Sequence, residues 1–150
     1  MRFVLVPVVV AALLVIGVLG VEAQYKAGEY QAPAPGPAWQ VQAKTAATHA
    51  GFASGGDSVS YVDTHLGHAL NCIEGPKGKN FNASWGNVCE GQGNGILVDL
   101  RANREGMAWM LVAEAADQLA VAGIKSRDLN QKKNAAKGVA ALMRLIAEGK

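Results

Sequence analysis

Tyr61, His65, His68 and Cys72 are spaced so that, on a helix turning 100° per residue, they share one side over a few turns. His65 and His68 are three residues apart, and an i, i+3 pair of imidazoles can grip one transition-metal ion. The third histidine of the chain, His49, lies shortly before them. If the two segments form an antiparallel helical hairpin, His49 approaches His65 and becomes a third ligand. A copper-, nickel- or zinc-like ion is the expected cofactor. Asp57, Asp63, water or a carboxylate elsewhere completes the set, and spacing alone does not choose among them. The competing reading is that these histidines are ordinary polar surface of an exposed helical face.

Other chemistry has less support. No CxxCH occurs, which excludes c-type haem. Haem b would need His65 or His68 opposite Met107 or Met110. Those methionines read as core filling, so haem b is disfavoured. The run Gly91-Gln92-Gly93-Asn94-Gly95 lacks a preceding strand and a following Lys-Ser/Thr, and reads as a flexible joint rather than a phosphate loop. Asn82-Ala83-Ser84 fits the glycosylation pattern, which means little if the source is bacterial. No nucleophile-elbow or protease signature is present, and an enzyme is the weakest reading.

Cys72 and Cys89 are the only cysteines. An isolated pair in an exported chain is most simply a disulfide, stabilising by roughly 3 kcal/mol through loop closure. Two free thiolates binding metal is the alternative.

The elements that must position these residues are helical. Trp39, Ala43, Ala46, Ala50 and Ala53 form one stripe, ending at Ser54-Gly55-Gly56. Asp57 or Ser58 caps a second helix with Val59, Val62, Leu66, Ala69, Leu70 and Ile73 inward, stopped by Gly75-Pro76. Pro76 to Gly95 is a long Gly- and Asn-rich loop whose large apolar side chains, Phe81 and Trp85, are candidates for binding a partner. A third helix is expected from Ile96 to Ile124. Its inward residues are Leu97, Leu100, Met107, Leu111, Ala115, Leu119 and Ala122, with a bend or a break near Arg104-Gly106. A fourth starts at Ser126 or Asp128. There Leu129, Ala136, Val139, Ala140, Met143 and Ile146 face inward, and Lys132, Lys133, Lys137 and Arg144 face water. The expected fold class is all-α: an antiparallel four-helix bundle with a disulfide-tethered loop between helices two and three.

Residues 1–23 read as a secretory signal peptide: Arg2, an apolar run from Phe3 to Val21, and a cleavage site before Gln24. The run is nearly long enough to span a bilayer, so an uncleaved anchor is the competing reading, and the membrane is a partner only in that case. Residues 24–38 form a Pro/Gly-rich arm and 39–150 the helical domain. The expected localisation is periplasmic or secreted. Without residues 1–23 the chain keeps 13 basic (14 − 1) and 11 acidic (12 − 1) side chains, net +2. So small a charge argues against nucleic acid as a partner.

The stretch HLGHALNCIEGPKGKNFNASWGNVCEGQGNG, from His65 to Gly95, resembles a segment of uncharacterised exported bacterial helical proteins. In these an HLxHxxNC helix end runs into a GP-G-F loop and a second cysteine near a GxGNG turn. More loosely, the exported chain is similar to small periplasmic metal-binding four-helix proteins and to four-helix cytochromes. The resemblance implies a bundle and metal handling, and it touches His65, His68, Cys72 and Cys89 only. The abundant repeated histidines of a metal sponge are missing, which argues against high-capacity storage. Two function classes stand: a metal-binding protein, and a non-catalytic module that binds an envelope protein through the arm and the Phe81/Trp85 loop.

Overall fold

The computed structural model describes residues 36–149, so the expected signal peptide and nearly all of the Pro/Gly arm lie outside the described residues. Five α-helices follow in order: α1 (Ala38–Gly55), α2 (Val59–Glu74), α3 (Ile96–Arg101), α4 (Met110–Lys125) and α5 (Leu129–Glu148). Short 3-10 turns occupy Ala83–Trp85 and Gly106–Trp109, and no strand occurs among the described residues. The chain is all-α.

Alanine sets the spacing of α1. Its buried face is Trp39 followed by Ala43, Ala46, Ala47, Ala50 and Ala53, and the alanine side chains are short enough to let α5 and α2 approach closely from two sides. Only Gly56, Asp57 and Ser58 separate α1 from α2. A Cβ on Gly56 would lie 2.6 Å from the Tyr61 ring and 2.9 Å from Val62 Cγ2, so the tight hairpin depends on a glycine there. Ser58 caps α2 by accepting a hydrogen bond from Tyr61 N at 3.2 Å. Asp128 does the same for α5 through Gln131 N at 2.8 Å. Contacts close into a ring: α1 packs on α2 and α5, and α4 packs on α5 and α2.

The break allowed for near Arg104-Gly106 is present, but the inward face expected beyond it is not. The third helix is not continuous; α3 ends at Arg101 and α4 begins at Met110. Asn103 accepts a hydrogen bond from Glu105 N at 2.9 Å, and buried Gly106 lies against Leu100, where a Cβ would sit 3.0 Å from Leu100 Cα. The break resets the helical phase. Leu100 faces inward as expected, but beyond the break the buried residues are Met110, Ala113, Ala116, Ala120 and Gly123. Met107 and Leu111 are instead 52% and 79% exposed, and Ala115, Leu119 and Ala122 are exposed with them. Val59 is likewise exposed, at the first turn of α2.

Lys132 does not face water; it is 2% exposed. It lies in phase with Ala136, Val139, Met143 and Ile146, so its stem enters the core. Its ammonium pairs with Asp63 of α2 and donates to Ile124 O at 2.8 Å and Gly123 O at 3.3 Å. A cation is thereby placed on the last carbonyls of α4, where the helix dipole favours it.

The segment from Pro76 to Gly95 is fixed at several points. Cys72 and Cys89 form a disulfide, with Cα atoms 5.4 Å apart. Fully buried Asn71 donates to Asn82 O and Gly86 O, each at 2.8 Å, and accepts from Asn82 N at 2.9 Å. Glu74 accepts from Asn80 N and Nδ2, both at 2.5 Å. The Trp85 ring lies on Gly67 so closely that a Cβ there would collide with it. The glycine run is pinned rather than loose. Gly95 (φ +116°) donates to Gln42 Oε1 at 3.0 Å, and Asn94 N donates to Asp99 Oδ2 at 3.0 Å. Gln42 Nε2 also donates to Asp99 Oδ2, at 2.6 Å.

Candidate metal centre

The α1–α2 hairpin brings the three histidines together. His49 stands beside the alanine face of α1, one position before buried Ala50, and is half-buried at the seam with α2. His65 and His68 flank the Leu66–Ala69 face of α2 and are also half-buried. His49 Nδ1 lies 3.2 Å from His65 Nδ1 and 3.1 Å from His68 Nδ1. The ligand atoms of all three lie within 4.8 Å of one another.

Hydrogen bonding alone does not satisfy this triangle. A neutral imidazole Nδ1 carries either one proton or one lone pair, so His49 Nδ1 makes one good hydrogen bond at a time. The second nitrogen then faces it unpaired. A metal ion inside the triangle turns all three lone pairs into ligands. Two tetrahedral Zn–N bonds of about 2.05 Å put their nitrogens about 3.3 Å apart. The two separations made by His49 are close to that edge, and all three ligand atoms lie within 4.8 Å of one another.

The electrostatics keep lone pairs free. Burial, followed by the nearby His68 and His65 rings, lowers the pKa of His49 from 6.5 to about 4. The pKa of His65 is lowered too, by burial and then by His68. Both shifts favour the neutral, ligating forms of His49 and His65 near pH 7.

Aromatic rings frame the cluster. Phe52 lies edge-on to His49 and His65, with centroids 5.6 Å and 5.4 Å away, and Tyr61 sits 4.4 Å from His65. From the loop, Gly86 borders the cluster, where a Cβ on it would make ordinary contact with His68 Nε2 at 3.6 Å. Phe52 and Gly86 were not legible as site residues. Phe52 had one signal, its i+3 spacing from His49; Gly86 had none.

Cys72, on the same side of α2, is committed to the disulfide and not to metal. Asp63 is taken by Lys132, and Asp57 is not among the clustered ligand atoms. Met110 is core, whereas Met107 is exposed, so the pair reserved for haem is divided between inside and outside. Phe81 and Trp85 line a separate cavity of about 310 Å³ with Leu70, Val121 and Ile124. Trp85 and Phe81 are partly buried there, and Trp85 packs against the core.

Comparison of the chain with protein-family models, with curated proteins and with solved structures finds no match in any of the three. The geometry of the chain itself is therefore the basis for a functional reading, and that geometry is a half-buried triangle of imidazole nitrogens able to hold a metal ion.

Proposed function

We propose that this is an exported helical protein that binds one first-row transition-metal ion, copper-, nickel- or zinc-like, through His49, His65 and His68. The observation that carries the reading is the approach of His49 Nδ1 to within 3.2 Å of both partner nitrogens. The ring of contacts among α1, α2, α4 and α5 supports an antiparallel four-helix bundle as the scaffold, with the ligands on its first hairpin. The Cys72–Cys89 disulfide supports an oxidising compartment and hence export. Calorimetric titration of copper, nickel and zinc into the metal-free exported chain tests the reading. One ion per chain is expected, with most of the affinity lost in each of His49→Ala, His65→Ala and His68→Ala.

A second reading, an envelope interaction module, has one observation in its favour: the 310 Å³ cavity lined by Phe81 and Trp85. It takes precedence if all three histidine variants bind metal as the parent does.

A further inference from the structure

We propose that the metal held by the three histidines keeps one exchangeable coordination position, which takes a small monodentate donor such as water, azide or imidazole from a neighbouring cavity. This rests on the metal-binding reading above. The ligand cluster has three members, and among the described residues neither carboxylate expected from sequence joins it. Asp63 is engaged by Lys132, and Asp57 lies outside the cluster. The two separations that His49 makes, 3.1 and 3.2 Å, suit neighbouring ligands of a tetrahedral ion, and the protein offers three donors to it. Three corners of a tetrahedron leave a fourth.

The cavity, about 580 Å³, is lined by Gly51, Phe52, Gly55, Gly56, Asp57, Ser58 and Tyr61. Phe52 and Tyr61 are at once its walls and the ring neighbours of His49 and His65. No histidine itself lines the cavity, so these two rings are what it shares with the metal centre. The glycines leave room for a donor the size of imidazole, and the Asp57 carboxylate opposes multivalent anions. Neutral or singly charged donors are the class that fits.

Cobalt(II) loaded into the full exported chain gives a visible spectrum that reports coordination. Azide and imidazole should each change that spectrum saturably, with one donor per cobalt. Gly55 lines the cavity and a Cβ on it meets nothing within 4 Å, so Gly55→Phe adds bulk at the cavity wall without a clash at its Cβ. That variant should bind cobalt as the parent does and weaken imidazole binding by about tenfold, the scale of an overpacking penalty. If cobalt binds through the three histidines but a large excess of both donors leaves its spectrum unmoved, a fourth protein ligand closes the site and the inference fails. Unchanged imidazole affinity in Gly55→Phe overturns the cavity as the route. No cobalt binding by the parent defeats the metal-binding reading itself, and this inference with it.

Discussion

His49 should titrate far below an ordinary histidine in the metal-free protein. Its pKa is lowered from 6.5 to about 4, first by burial and then by the two neighbouring rings. At pH 5 an imidazole of pKa 6.5 is protonated in about 97 of 100 molecules, whereas at a pKa of about 4 it is protonated in about one in ten. Proton competition at pH 5 therefore costs an unperturbed ligand about 30-fold in availability, and His49 about 1.1-fold. Metal affinity should thus fall less steeply through pH 6.5 than three independent histidines would require. The stability consequence has a definite sign. Between pH 6.5 and 4 the unfolded chain binds a proton that the folded His49 excludes, so the contribution of His49 present above pH 6.5 is lost across that window as pH falls. The imidazole Cε1–H resonances, followed by NMR from pH 8 to pH 3, give the midpoint directly. His49 should titrate at about 4, and His68→Ala should raise that midpoint by removing one positive neighbour. A parent midpoint near 6.5 would show that the ring is neither buried nor packed against its partners, and the metal centre would lose its electrostatic basis.

Three further outcomes test the scaffold. Asn71→Ala leaves Asn82 N, Asn82 O and Gly86 O without their buried partner and should destabilise by about 3 kcal/mol in urea unfolding. A loss under about 1 kcal/mol would mean that the loop is not held there. Lys132→Ala should cost about 2–3 kcal/mol, since two α4 carbonyls and Asp63 lose a buried donor, although Asp63 is 30% exposed and regains water. Asp117→Asn should stabilise at neutral pH. Burial, then Glu74, then Glu114, raises the Asp117 pKa to about 6, so its ionisation costs stability as pH rises through 6. Screening at this half-exposed residue limits the gain to about 1 kcal/mol, and the gain should vanish below pH 4.

Much of this was legible in the chain because single helices reveal their own faces. The alanine stripe of α1, the Ser58 and Asp128 caps and the Gly75 stop all follow from local chemistry. The three histidines were legible as a cluster once α1 and α2 were read as a hairpin. What failed was extrapolation through a break. The turn at Asn103–Gly106 resets the phase, so Leu111 and Leu119 point outward although their spacing continues that of Leu100. Lys132 was misplaced because its charge outweighed its register; α4 carbonyls that receive it come from another helix and leave no local mark. The clamps on the long loop, Asn71 and Glu74, are also tertiary, and nothing in their spacing distinguishes them from surface polar residues.

X-ray absorption at the metal edge of the zinc- or copper-loaded protein tests the central claim most directly. The account predicts a first shell of nitrogen and oxygen donors at about 2.0 Å, with the outer-shell scattering of three imidazoles. A shell with one imidazole or none, or one dominated by sulfur, would contradict it.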